Sequence, residues 1–338
     1  MPFKLRYQIF DLPFKYPFTI SKGTKTHQQT LIVELEWNGF RGYGEAPVIS
    51  YYPVTIDQIL TDLTQKKTFI EKFAFTEPER YWHYLHHLLP KNPLLVCALD
   101  MACWDIYGQL KRQPLYALWS TDISQAPLTD ITIGLDSPET MVTKMKENPW
   151  PVYKIKLGTD RDLELLKELR NYSGANFRLD VNGGWTANQA KQILPRLDNL
   201  NIELVEEPIK KYDYTGMKQL MEISPVPLIA DESCVGEEDI KNCFGHFHGI
   251  NIKLTKCSGI TPAIRMIKKA RESGLKIMLG NMNESTIGSA ALAHLMPQAD
   301  YADIDGPLLL AEDPGKGLIY NSGKILLSNA PGLGVSLK

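Results

Sequence analysis

The sequence predicts an α/β protein, a (β/α)8-type barrel with a small α+β domain at its N-terminus. Short apolar runs occur at residues 131–133, 152–156, 177–181, 202–205, 227–230, 250–253, 276–279 and 301–304, eight in all. Helical patterns such as 162–170, 187–197 and 261–273 lie between most of them, the alternation that gives a parallel sheet. The runs also recur at a near-constant period: 26 residues from Lys154 to Asp180, 26 to Glu206, 25 to Asp231 and 22 to Lys253. Eight such units over about 190 residues suit a barrel. A doubly wound sheet would alternate too, but it usually has fewer strands and an early Gly-rich phosphate turn. Neither GxGxxG nor GxxxxGK[ST] occurs.

Ahead of the barrel, the first forty-odd residues read as β structure. Residues 30–37 alternate apolar and polar, Asn38 and Gly39 supply a tight turn, and residues 40–45 return. Two helices follow. Residues 56–73 carry apolar side chains at three- and four-residue spacing, and residues 94–110 are richer still, until Pro114 ends the second helix. A hairpin followed by helices predicts an α+β domain to about residue 115.

Composition narrows the function. With 37 Lys plus Arg against 39 Asp plus Glu, the net charge of −2 removes the electrostatic case for nucleic acid or an anionic membrane as partner. No apolar run approaches the roughly 20 residues of a membrane span, and the N-terminus lacks the long apolar core of a signal peptide. The five cysteines form no CxxC pair and their odd number argues against a disulfide framework. These features predict a cytoplasmic enzyme acting on a small molecule.

Catalytic residues of a barrel come from the C-terminal ends of its strands. Those ends deliver Lys154 and Lys156, Asp180 with Asn182, Glu206 with Glu207, Asp231 with Glu232, Lys253, and Asp303 with Asp305. A single Asp after a strand is usually a helix cap, but three acids from successive strands at almost equal spacing would repel unless a cation sat between them. All-oxygen ligation suits Mg²⁺ best, with Mn²⁺ the second choice. Lys154 and Lys156 share a strand face pointing into the barrel mouth. Two close ammonium groups beside a divalent cation should be easier to deprotonate, so one could serve as a base. Lys253 ends the sixth strand, across the barrel from the second. A lysine on either side of a bound substrate suggests proton removal from one face and delivery to the other, α to a carbonyl whose oxygens the cation holds.

These residues resemble the enolase superfamily in its muconate-lactonising-enzyme branch. Lys154-Ile155-Lys156 is similar to its KxK motif. RLDVNGGW (178–185), LVEEP (204–208) and IADES (229–233) are similar to its metal-ligand motifs, and NIKLTKCSG (251–259) to its second-base strand. GYGEAP (42–47) and ALDMACWD (98–105) resemble its capping domain. DIDGPLLL (303–310) is similar to the DxD motif of dipeptide epimerases; two acceptors on one strand face match an ammonium with three donors.

The resemblance implies a capping domain over residues 1–120, with specificity loops near 19–27 and 47–53, a catalytic barrel over 121–310, and a C-terminal segment, 311–338, packing back on the capping domain. It implies that Asp180, Glu206 and Asp231 bind Mg²⁺, that Lys156 and Lys253 are the two acid/bases with Lys154 assisting, and that Asp303 and Asp305 hold the dipeptide's ammonium. Asn182 and Glu232 would support the metal site, and Glu284 would orient Lys253. Lys22 or Lys25 would meet an acidic side chain, whereas Tyr51 and Tyr52 would make an apolar wall. The implied reaction is Mg-dependent epimerisation of a dipeptide at its C-terminal α-carbon, with L-Ala-D/L-Glu from cell-wall peptide the first expectation; members of the family often form symmetric homo-oligomers, but the oligomeric state is not readable from the sequence. The alternatives are o-succinylbenzoate synthase or N-succinylamino acid racemase of the same branch and, more distantly, a metal-independent Schiff-base aldolase or a non-catalytic binding protein. The second-base motif usually ends in a double glycine, where this chain has Ser258-Gly259.

Overall fold

The computed structural model describes residues 2–21, 23–49 and 52–338; Lys22 and Tyr51 therefore lie outside the described residues. The N-terminal domain opens with an antiparallel sheet of β1 (Lys4–Ile20), β2 (Gly23–Trp37) and β3 (Phe40–Pro47), in that order. Strands β2 and β3 turn at Asn38 and Gly39, both at positive φ (49° and 84°), the backbone a two-residue hairpin needs. The predicted loop at 19–27 is instead the tip of a long hairpin, paired from Phe18↔Lys25 to Ile20↔Gly23. Strand β1 contains Pro13 and Pro17; it is an edge, where a missing N–H that faces away from β2 costs no ladder bond.

Helices α1 (Ile56–Glu71), α2 (Pro78–Leu88) and α3 (Pro93–Lys111) cover one face of this sheet. Helix α3 lies directly on β3. A Cβ on Gly42 would fall 2.0 Å from the Ala102 carbonyl oxygen, and one on Gly44 would fall 1.9 Å from that of Ala98. Leu31, Leu35, Leu95, Ala98, Leu99 and Ile106 build the core between them.

The second domain is an eight-stranded parallel sheet, β4 (Ile131–Ile133), β5 (Val152–Lys156), β6 (Asn176–Asp180), β7 (Ile202–Glu206), β8 (Leu228–Ala230), β9 (Gly249–Ile252), β10 (Lys276–Gly280) and β11 (Tyr301–Asp303), each paired with the next. It curls until β11 meets β4 at a seam. The Thr129↔Ala302 bridge joins the edges, the Ile304 N–H donates to Thr129 Oγ1 (2.8 Å), and the Thr132 N–H donates to Asp305 Oδ2 (2.6 Å). The eighth strand is followed by a single turn, Gly306–Leu309, not the full helix that eight equal units would imply. The barrel core is continuous, from Ile133 and Ile155 to Leu279 and Ile304.

Three buried acids of the N-terminal domain reach into the barrel and the C-terminal segment. Glu45 accepts from the Ser285 and Gly288 N–H groups, at the start of the helix Thr286–Ala293. Asp100 accepts from Thr261 N (2.9 Å) and Oγ1 (2.7 Å), in the first turn of the helix Ile260–Glu272. Asp105 accepts from Leu333 N (2.9 Å) and Tyr43 N (3.1 Å). Orphan N–H groups of barrel helices are thus capped from the other domain. The C-terminal segment touches both units: Asp105 holds Leu333, and Gly323 accepts from Thr129 N beside the seam. No helix among the described residues is long and apolar enough to cross a membrane.

Candidate active site

The ends of the barrel strands open on a cavity of about 720 Å³, between the barrel mouth and the tip of the β1–β2 hairpin. Its walls include Lys154, Lys156, Asp231, Lys253, Asp303 and Asp305. Lys156 ends β5 and Lys253 follows β9, four strand positions apart around an eight-strand sheet, so the two ammonium groups face each other across the cavity.

Burial brings these charges into direct contact. Lys154 Nζ lies 3.0 Å from Asp180 Oδ2, 2.7 Å from Glu206 Oε2 and 2.7 Å from Asp303 Oδ2. Lys156 Nζ lies 2.5 Å from Asp180 Oδ2, and Lys253 Nζ 2.9 Å from Asp231 Oδ2. Burial works against the Lys154 charge, yet Asp180, Asp303 and Glu206 together push its pKa well above the ordinary lysine value. Lys253 is raised in the same way, burial being outweighed chiefly by Asp231. Carboxylates, not a second ammonium, are the nearest charged neighbours of Lys154 and Lys253 in this arrangement. Asp180 and Asp231 are held down by the lysines against burial. Glu206, buried beside Asp180, is pushed up to about 7.

The donors suit an oxygen-coordinated cation. Asp180, Glu206 and Asp231 come from adjacent strand ends. Glu206 Oε2 is buried without an aligned hydrogen bond, and its other oxygen accepts from Asn251 Nδ2 (2.8 Å). A cation taken by these three would compete with the lysines for the same oxygens. Among the described residues, the carboxylates whose oxygens approach one another most closely as a trio are different ones, Asp130, Asp303 and Asp305, within 4.8 Å. Asp130, ahead of β4, is held by Arg178 Nη1 (3.0 Å) beneath the cavity floor.

Asn182 Nδ2 lies 3.4 Å from Glu232 Oε1, and both residues line the cavity. Glu284 does not touch Lys253, contrary to expectation. Its Oε2 turns back to the Met282 N–H, and burial raises the carboxyl to about 8. Lys253 instead meets the Met282 sulfur at 3.7 Å. Lys25 lines the cavity with no carboxylate partner among the described residues, its Nζ 3.5 Å from Gln28 Oε1, and burial lowers its pKa. Tyr52 makes no wall on the cavity; its hydroxyl donates to the Lys256 carbonyl oxygen.

Sequence reasoning missed several supports. Glu207, at φ 38°, accepts from the N–H groups of Asp231 and Ser233. Positive φ at Asn182, Glu207, Ser258 and Asn283 marks strained backbone after four different strands, typical of built sites. Lys210 and Lys211 also line the cavity. A charged pair one residue beyond the LVEEP motif was the available signal for them.

Comparison with known proteins agrees with this geometry. The Mandelate racemase / muconate lactonizing enzyme, N-terminal domain family matches residues 6–119, and the Enolase C-terminal domain-like family matches residues 139–338. An L-Ala-D/L-amino acid epimerase of Flavobacterium johnsoniae is 45% identical over 334 residues, 99% of either chain. The substrate-liganded L-Ala-D/L-Glu epimerase of Bacillus subtilis superposes with a TM-score of 0.93 at 28% identity, over 99% of this chain and 98% of that one. A dipeptide epimerase of Enterococcus faecalis, complexed with Mg and L-Leu-L-Tyr, gives 0.89 at 32% identity, over 99% and 100%.

Proposed function

The chain belongs to the mandelate racemase / muconate lactonizing enzyme family of the enolase superfamily, and from that premise we propose that it is a Mg²⁺-dependent dipeptide epimerase. The observation that carries this reading is the pair of opposed lysines, Lys156 and Lys253, on one cavity whose wall also holds Asp303 and Asp305. Relatives named as dipeptide epimerases support it.

Asp180, Glu206 and Asp231 would hold the Mg²⁺. When bound, the ion supplies positive charge to the substrate's carboxylate and so acidifies the adjacent α-carbon. One of Lys156 and Lys253 removes the α-proton as a neutral amine, and the other, protonated, returns a proton to the opposite face. Lys154, kept charged by its three carboxylates, stands as a fixed cation beside the site. Asp303 and Asp305 take the N-terminal ammonium through charge-assisted hydrogen bonds. The same two carboxylates would repel the acid of a succinylated substrate, so the succinyl chemistries of this family fit less well.

Phe18, Ile20, Ile49 and Met282 make part of the wall apolar, while Lys25, Lys210 and Lys211 supply positive charge. The mixture supports L-Ala-D/L-Glu as one substrate within a wider range of C-terminal side chains. Five buried, unpaired cysteines support a reducing compartment, the cytoplasm. The test is an L-Xaa-L-Xaa dipeptide library incubated in D₂O with Mg²⁺ or with EDTA and read by mass spectrometry. Metal-dependent gain of one deuterium is expected, and the labelled members name the side-chain range. No exchange with any dipeptide would end this reading.

A further inference from the structure

The turn after β9 carries a buried lysine that the chemistry above does not use. Lys256 Nζ lies 2.6 Å from Asp231 Oδ1, 2.6 Å from the Asp231 carbonyl oxygen, 2.8 Å from that of Cys234 and 3.0 Å from that of Asn251. An ammonium has three protons, so four oxygens from three residues saturate it. Its side chain is 1% exposed. A charge so buried is retained only where its partners fix it. Asp231 is thereby shared: Oδ1 is taken by Lys256, and Oδ2 faces Lys253 at 2.9 Å. With one oxygen pinned, the carboxylate plane cannot turn, and the direction offered to Lys253 is set.

The same turn is gripped from the N-terminal domain. Tyr52 donates to the Lys256 carbonyl oxygen, Trp82 Nε1 to that of Ser258 (2.9 Å) and Trp104 Nε1 to Thr261 Oγ1 (2.9 Å), while Asp100 takes the Thr261 N–H. Ser258 and Gly259 hold the turn at φ 72° and 137°. On the opposite side of the cavity, the Asp180 carboxylate that faces Lys156 is contacted by Lys154 and by the Asn182 N–H, all from the barrel. The two bases are therefore set by different means.

We infer that Lys256 is a positioning residue that acts through Asp231, with its larger effect on Lys253 and not on Lys156, and that Tyr52 ties that positioning to the N-terminal domain. The inference rests on the two-lysine reading above.

Each purified epimer of L-Ala-Glu is incubated in D₂O with Mg²⁺, and early loss of its α-hydrogen is followed for the wild type, Lys256→Met and Tyr52→Phe. The wild type exchanges both epimers. In Lys256→Met, exchange from the epimer whose hydrogen faces Lys253 falls at least about tenfold, while the other epimer still exchanges with retention through Lys156. Tyr52→Phe shifts the ratio in the same direction by roughly threefold and covers the case in which Lys256→Met does not fold. As a readout independent of turnover, amide exchange of residues 254–259 in the substrate-free protein rises in Tyr52→Phe. Equal slowing of both epimers, or of neither, or unchanged amide exchange in that turn, overturns the inference. A wild type that exchanges neither epimer defeats the epimerase reading itself, which keeps the two failures apart.

Discussion

Asp305 shows how much one side chain in this cavity can carry. Burial and the nearby Asp303 charge push its pKa up to about 7, while Thr132 N–H holds its Oδ2 at 2.6 Å. Asp305→Asn keeps an oxygen for Thr132 and removes one negative charge. A hydrogen bond to a charged group is worth roughly 1.5–3 kcal/mol, so steady-state kinetics should show KM for a free dipeptide rising about tenfold to a hundredfold, with kcat changing less. An unaltered KM would take the ammonium away from this pair. At this scale the sequence was most legible where charge interrupts an apolar strand, as at Asp180, Glu206, Asp231 and Lys253. It was least legible at Glu207, Asp130 and Lys256, whose work is to hold backbone or another carboxylate. Proximity along the chain to the seventh strand end does not tell which way the buried Glu284 carboxylate turns, here back to the Met282 N–H.

The strands of the barrel were read from the sequence to within one residue, because β-branched and apolar runs bounded by charge leave little freedom of register, whereas the helix read over 187–197 ends at Ile193. Helix α2, PERYWHYLHHL, was not read. Its aromatic and histidine residues are only moderate helix formers, and it is packing of Tyr81, Trp82 and Leu85 into the core that holds it. The glycines of GYGEAP were seen only as a resemblance; their physical meaning is the contact of β3 with α3. Gly44→Ala would place a methyl 1.9 Å from the Ala98 carbonyl oxygen, backbone that cannot yield without separating strand from helix. Overpacking of this kind costs about 1–3 kcal/mol or more. Chemical denaturation should show at least that loss, or no soluble folded protein. A variant as stable as the wild type would mean that α3 is free to shift.

Across the whole molecule, stability at acid pH should depend on His294. It lies between the barrel, Tyr116 and the C-terminal segment, its Nδ1 accepting from Tyr116 N (3.3 Å) and its Nε2 donating to the Leu333 carbonyl oxygen (3.2 Å). Both nitrogens are satisfied in the neutral ring, and burial lowers the pKa from 6.5 to about 4, against the pull of the Leu333 carbonyl. The unfolded chain binds this proton first, so the folded state loses stability as pH falls from about 6.5 towards 4. At 1.36 kcal/mol per unit, the loss between pH 7 and about pH 4.5 is on the order of 2 kcal/mol. Urea titrations should show His294→Gln losing less over that interval than the wild type. Equal losses would assign the acid sensitivity elsewhere.

The seam between β4 and β11 has a consequence in time. A ribosome makes a chain from its N-terminal side, and Asp303, Asp305 and the bridge to Ala302 arrive after the other seven barrel strands. Until then β4 is an open edge, although the helices that Glu45 and Asp100 cap have already been made. No nascent fragment that ends before residue 303 contains Asp303 and Asp305, the pair proposed above to take the substrate's ammonium. Activity therefore switches on only once the last barrel strand has been delivered, and a chain cut short before residue 305 can bury a core without handling a substrate.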